Sequence, residues 1–314
     1  MKYKMKNTGK KRKNGFPSLW EKCRKPFFLL LTLIVIFSVL ALWYRFESPK
    51  KNESLLEIHF PDVGQGGCAF LLLPDGSNIL IDTGPKEASD KLIRYLRTLS
   101  VEKIDLLILT HEHSDHIGGV RALLDAFPVS DLILSRVPTS DTARSDLLSE
   151  FEKQKNCRIS LALAGDEYVF GEMSFRVLSP NSPSYLSANN ASLSLRMQYH
   201  ENAFLFTSDI ENESICEILD RYGKEDLSVD LMQIPHHGSS SSASSEFFSL
   251  FSPKYAVIQC ALLNDYGHPH GEILSLLNSF SIPVFRTDFD GDLVFTCDGK
   301  RVFPPVKEQD HLAA

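Results

Sequence analysis

The sequence has little histidine, only ten in 314 residues, and no regular cysteine pattern. Cys23, Cys68, Cys157, Cys216, Cys260 and Cys297 are scattered and contain no C-x-x-C pair. Five of them follow residue 44, an odd number that excludes a complete disulfide framework there without a partner chain, so they read as small core hydrophobes. No internal repeat is present. Basic charge is also missing from most of the chain. Residues 1 to 25 hold ten Lys/Arg and one acid, Glu21, which leaves 23 basic against 39 acidic residues in the rest. So acidic a body argues against a broad non-specific DNA groove, which needs Lys/Arg to displace counterions from phosphates. It leaves room for phosphate chemistry in a small site where metal ions supply the positive charge.

One long uncharged run is present, "FFLLLTLIVIFSVLALWY", Phe27 to Tyr44. Its 18 residues are about the minimum for a helix to cross a bilayer core of roughly 30 Å. Lys22, Arg24 and Lys25 precede it, and Trp43 and Tyr44 close it like an interfacial belt. The positive-inside rule then puts residues 1–25 in the cytoplasm, a transmembrane helix at 26–44, a linker at 45–54 and everything beyond outside the cell. A cleaved signal peptide is the alternative, with Val39-Leu40-Ala41 resembling its cleavage site. The run exceeds the usual apolar region of roughly 7–15 residues, which favours an uncleaved anchor.

Residues 55–84 read as three short strands broken by Gly-rich and Asp-Gly turns. A helix fits 86–100, with Leu92, Tyr95, Leu96 and Leu99 at helical spacing. "IDLLILT" (104–110) suits a fully buried strand. Strand and helix then follow at 132–137 and 141–155, hairpins at 168–180 and across 200–202, and a helix at 211–222. The strands "LMQIPHH" and "AVIQCA", a helix near 270–280 and closing strands at 283–286 and 292–296 complete one α/β domain over 55–303, ahead of a tail at 304–314.

Three of the ten histidines fall inside "LTHEHSDHIGG" (109–119), directly after the buried strand. Residues two apart on a strand point the same way, so His111 and His113 can face one ion while Asp115 and His116 serve a second at the turn into a helix. Imidazole and carboxylate are ligands that Zn²⁺ or Mn²⁺ accepts. Two further strands end in ligand-type residues, Asp209 in "FLFTSDIENE" and His236–His237 in "LMQIPHHGS". Alone, Asp209 reads as a helix N-cap, the histidines as loop residues, and the following "SSSSASS" as a flexible linker. Recurrence at three strand ends, where α/β sheets gather their sites, points instead to one metal centre.

The ordered series "DVGQG", "IDTG", "LTHEHSDHIGG", "SLSLRM", "FLFTSDIE", "IPHHGS" and "YGHPH" resembles the metallo-β-lactamase superfamily, and within it the hydrolase-like domain of the ComEC competence proteins. The resemblance covers about residues 55–300. It implies an αββα sandwich of two mixed sheets flanked by helices, two divalent ions (Zn or Mn) and hydrolysis, in the ComEC branch of nucleic-acid phosphodiesters. By position, His111, His113 and Asp209 would hold the first ion, and Asp115, His116, Asp209 and His236 the second. Asp82 of "IDTG" would orient ligands.

Two departures accompany the resemblance. "SANNASLSLRM" offers Asn190 and Ser192 where many relatives carry another ligand histidine, which implies a weaker first metal site and favours the ComEC branch. "GQGGC" has Gly67 where the resemblance leads to an Asp. With a single span, the chain is not expected to form a channel itself. The expected chemistry is metal-activated hydroxide attack on phosphorus, with Asp115 orienting the nucleophile or taking its proton. His237 or His268 would protonate the leaving oxygen, and Asn264 or Ser239 would hold a phosphoryl oxygen. His268 is equally open to a structural role at the site entrance, and His270 reads as a surface residue. Small or single-stranded phosphodiesters suit the acidic body best. A hydrolase of another ester or amide, including a lactam, and a non-catalytic metal-binding module of a membrane assembly are the alternatives.

Overall fold

A chain whose strands are apolar on both faces must cover both faces of its sheets, and the computed structural model shows how it does so. The model describes residues 55–305 apart from 153, 155 and 224, together with Ile36 and Ser38, which are helical. The basic tail, the rest of the expected 26–44 span, the linker up to residue 54 and residues 306–314 lie outside the described residues. Among the described residues no helix is long and apolar enough to cross a membrane.

The body opens with β1 (Leu56–Phe60), β2 (Ala69–Leu72), β3 (Asn78–Ile81), helix α1 (Ser89–Thr98) and β4 (Ile104–Leu109). Helices α2 (Ser114–Ile117) and α3 (Val120–Ala126), strand β5 (Val129–Ser135), helix α4 (Asp141–Phe151) and strand β6 (Arg158–Ala162) follow. Next come β7 (Glu167–Phe170), β8 (Met173–Ser179), β9 (Ser194–Tyr199), β10 (Asn202–Phe206), α5 (Asn212–Tyr222), β11 (Leu231–Gln233), α6 (Ser245–Phe251) and β12 (Tyr255–Ile258). Helix α7 (Gly271–Ser279), β13 (Val284–Arg286), α8 (Thr287–Asp290), β14 (Leu293–Cys297) and β15 (Val302–Phe303) close the described chain.

The strands form an eight-stranded sheet, β15-β14-β1-β2-β3-β4-β5-β6, and a seven-stranded one, β13-β12-β11-β10-β9-β8-β7. Alternation along each strand decides the layers. Leu106 and Ile108 of β4 join Phe60, Phe206 and Phe295 between the sheets, while Leu107 and Leu109 turn outward onto Leu92 and Leu96 of α1 and Leu123 of α3. In the second sheet Phe204 and Phe206 face inward, and Leu205 packs outward with Ile215, Ile218, Phe247 and Phe251 from α5 and α6. The result is helix, sheet, sheet, helix, the sandwich that the family resemblance implied.

Each sheet is antiparallel on one side and parallel on the other: β3 to β6 run parallel in the first sheet, β10 to β13 in the second. The parallel halves collect the C-terminal strand ends that build the site. The tract "SSSSASS" is no linker. Ser242 is buried and donates to the Ile210 carbonyl at 2.8 Å, and Ser244 caps α6 by accepting from Phe247 N at 3.2 Å. The five described cysteines are free, and Cys68, Cys260 and Cys297 are buried.

Candidate metal centre

The ends of β3, β4, β10, β11 and β12 converge on one buried cluster. Asp82 follows β3 with φ of 57°, and its carboxylate ties neighbouring segments together. Oδ1 accepts from Thr110 N at 2.8 Å, and Oδ2 accepts from Thr110 Oγ1 and His116 Nδ1, both at 2.7 Å. Because the Nδ1 proton of His116 is held there, Nε2 is left to face the centre. It lies 3.1 Å from Asp209 Oδ1 and 4.0 Å from Asp115 Oδ2.

Asp209 sits between the two halves of the histidine motif. Its Oδ2 lies 3.9 Å from His111 Nε2 and 3.6 Å from His237 Nε2. His237 in turn lies 3.4 Å from Asp115 Oδ2. One donor atom from each of Asp115, His116, Asp209 and His237 falls within 4.8 Å of the others. His113 stands beside His111, ring centroids 4.6 Å apart.

The structure places the double histidine the other way round from the expectation. His237, not His236, reaches the carboxylates. Its Nδ1 donates to the Gln259 carbonyl at 2.8 Å, which aims Nε2 inward. His236 turns to the neighbouring loops, with Nδ1 3.2 Å from both Glu211 Oε1 and Ser241 Oγ and Nε2 3.3 Å from Asn189 Nδ2. The cause is the backbone: both residues adopt left-handed φ, 49° and 55°, so the pair does not alternate as strand residues do.

Asn190 does not reach the cluster by any hydrogen bond. It caps α5, its Oδ1 accepting from Glu211 N at 2.9 Å and Ser214 N at 3.2 Å. Ser192 is fully buried, with no hydrogen-bond partner for its hydroxyl among the described residues, and Leu193 N donates to the Thr110 carbonyl at 3.0 Å, so this segment runs beside His111. Asn264 is spent on its own loop, and Ser239 Oγ on Ser241. Neither is left to hold a phosphoryl oxygen. His268 stacks on His237 at 6.2 Å, and its Nδ1 accepts from Gln65 Nε2 at 3.4 Å. Glu112, inside the motif, points away and is bound by Arg144 and Thr139 N.

Gly67 packs its backbone flat against His116. A Cβ added there would stand 2.6 Å from His116 Cε1 and 2.8 Å from Nδ1. The Asp that the sequence comparison led us to expect would collide with the imidazole as it is placed here.

Two buried glutamines were not anticipated. Gln259 after β12 donates to the Cys68 carbonyl at 2.7 Å and accepts from Gln233 Nε2 at 2.9 Å, joining the sheets behind His237. Gln233 Oε1 accepts from Ser208 N at 3.3 Å, next to Asp209. The available signal was a glutamine inside each of two apolar runs, "LMQI" and "VIQC".

Electrostatically the centre is a cation trap. Burial would lower His116, but Asp209 and Asp82 on either side raise it well above the usual imidazole range. Burial works the same way on His237, and Asp209 and Asp115 outweigh it, bringing it to about 9. Burial would raise Asp209, yet His116 and His237 hold it well below the carboxylate range. Asp115 follows, held at about 2 against burial by His237 and His116. His111, deeply buried and next to His116, is driven well below its ordinary value.

The residues fit a metal. Among the described residues, the buried Nε2 atoms of His111, His116 and His237 make no well-aligned hydrogen bond, and they lie 3.9, 3.1 and 3.6 Å from the Asp209 carboxylate. Buried polar atoms are normally satisfied, so three imidazole nitrogens around one carboxylate call for a cation.

A family model for the metallo-beta-lactamase superfamily matches residues 63–261. The chain is 31% identical to ComE operon protein 3 of Bacillus subtilis over 81% of its own length and 35% of that protein. It is 28% identical to competence protein ComA of Neisseria gonorrhoeae, over 80% of this chain and 33% of the other. It thus spans about a third of these relatives. Among solved structures, the metallo-beta-lactamase fold protein YhfI of Bacillus subtilis superposes with a TM-score of 0.54 at 14% identity, covering 77% of this chain and 99% of that one, a likeness of fold. The clustered histidines and aspartates, the four-layer sandwich and the match over most of the body place this chain in the metallo-beta-lactamase superfamily, whose members are generally metal-dependent hydrolases.

Proposed function

We propose that this protein is a membrane-anchored, extracytoplasmic metal-dependent hydrolase that cleaves phosphodiesters. The observation that carries the reading is the cluster of Asp115, His116, Asp209 and His237, with His111 and His113 beside it. The similarity to proteins named for competence supports a nucleic-acid-related substrate. The basic tail and the apolar 26–44 run support the anchor, with 55–303 as the hydrolase domain.

In this reading His111, His113 and Asp209 would hold one divalent ion, and Asp115, His116, Asp209 and His237 would hold a second. Zinc or manganese bound there would acidify water and offset the charge gathering on phosphorus. His237 takes the ligand place first expected for His236, so it is not the proton donor. Asp82 fixes the His116 tautomer. Asp115, ionised down to about pH 2, orients the attacking water or takes its proton. Burial and the neighbouring His237 hold His268 down to about 4, so it is neutral near pH 7. With Nδ1 accepting from Gln65, its proton sits on Nε2, and it serves as a neutral hydrogen-bond donor to a substrate oxygen.

The test is turnover by the purified full chain. Added Zn²⁺ or Mn²⁺ should support hydrolysis of bis-p-nitrophenyl phosphate but not of a chromogenic lactam, and Asp209→Ala should abolish it. Bound metal without phosphodiester turnover would leave a binding module instead. For topology, protease added outside intact cells should cut the body and spare the basic tail.

A further inference from the structure

The loop that carries His268 is braced at every turn, yet it offers apolar side chains to water. Asn264 Nδ2 donates to the Ala261 and His268 carbonyls at 2.9 and 2.7 Å, and its Oδ1 accepts from Tyr266 N and His268 N at 3.2 and 2.9 Å. From outside the loop, Gln65 Oε1 accepts from Ala261 N at 3.2 Å. His270 N donates to the Gly238 carbonyl at 2.9 Å, and the His270 ring accepts from Ser240 N at 2.9 Å and donates to the Tyr266 carbonyl at 3.1 Å. On this fixed frame Leu262, Leu263 and Tyr266 are 59%, 93% and 67% exposed.

The rings form a series. Tyr266 lies 5.6 Å from His268 with an interplanar angle of 20°, and His268 lies 6.2 Å from His237 at 28°. Near-parallel rings thus lead from the surface to an imidazole of the metal centre. The acidic body supplies little counterion-release affinity for a polyanion. Stacking of bases on aromatic side chains is the sequence-tolerant alternative, and it requires unpaired bases with a free face.

We propose that Tyr266, on the same braced loop as the exposed Leu262 and Leu263, is a stacking platform for an unpaired nucleobase flanking the scissile phosphodiester. The proposal rests on the phosphodiesterase reading of the adjoining centre. His268 covers one face of the Tyr266 ring, and the base takes the other.

The experiment compares a fluorescent oligothymidylate with an abasic oligomer of equal length, by anisotropy, on the full chain in EDTA so that no turnover intervenes. Wild type should prefer the base-bearing strand. Tyr266→Ala should weaken that strand about tenfold, within the range of one base–aromatic contact, and leave the abasic one unchanged. Tyr266→Phe should match wild type. Absence of any wild-type preference, or an equal loss on both strands in Tyr266→Ala, overturns the platform. If wild type prefers the base-bearing strand but hydrolyses no phosphodiester, the platform stands and the hydrolase reading falls. If it hydrolyses bis-p-nitrophenyl phosphate while Tyr266→Ala changes neither affinity, the platform falls alone.

Discussion

Replacing Gly67 by alanine tests whether the wall behind His116 is built for that imidazole. The φ of Gly67 lies outside the left-handed region, so alanine meets no backbone penalty and the effect is steric alone. The new Cβ would stand 2.6 Å from His116 Cε1, about 0.8 Å short of an ordinary contact. The ring cannot simply retreat, because its Nδ1 is held by Asp82 at 2.7 Å and the residue is buried. Overpacking of this kind costs about 1–3 kcal/mol. Displacing a ligand from its supporting hydrogen bond typically lowers metal affinity by about 10–100-fold. Gly67→Ala, and more so Gly67→Asp, should therefore lower the melting temperature and weaken Zn²⁺ or Mn²⁺ binding in a competition titration with a chromogenic chelator. Metal affinity and melting temperature equal to wild type would refute the reasoning.

Further outcomes follow from the same geometry. His116 and His237 carry raised pKa values without metal, His237 at about 9, whereas a ligand imidazole must be neutral. Metal binding near pH 7 should release about two protons and tighten as pH rises toward 9. Calorimetry in buffers of different ionisation enthalpy reads this directly, and a pH-independent affinity would contradict it. Asp82→Asn removes one of the charges that raise His116, so it should lower the pH at which that imidazole titrates in ¹⁵N spectra of the metal-free chain, and weaken metal binding by about 10–100-fold. The His236 bond and the hydroxyl and amide partners of Glu211 hold its carboxyl at about 2 against an ordinary 4.5. A depressed carboxylate stabilises the fold above its unfolded pKa and loses that stability as pH falls through the folded value. Glu211→Gln should thus cost about 1 kcal/mol at neutral pH after solvent screening, a deficit that shrinks between about pH 4.5 and 2 in urea melts.

Much of this fold could be read from apolar periodicity. The β9–β10 hairpin, the buried β4 and the amphipathic α1 all match the pattern that named them. Strand β6 escaped because "RISLA" is a sheet edge, four of its five residues exposed, with no buried alternation to betray it. The serine tract read as a linker because composition does not show that Ser242 is buried beneath Ile210. At the site, residues directly following apolar strands were legible, and they came together. The choice between His236 and His237 was not, since it depends on two left-handed residues that no strand pattern encodes. Gly67 looked like a lost carboxylate in sequence, whereas in space it is the clearance for His116.

The most direct test is the metal content of the full chain and of three variants, by elemental analysis after equilibration with Zn²⁺ or Mn²⁺. About two divalent ions per wild-type chain are expected, with His237→Ala and Asp209→Ala depleted and His236→Ala close to wild type. A wild-type chain that binds no transition metal, or depletion by His236→Ala with His237→Ala unaffected, would contradict the account.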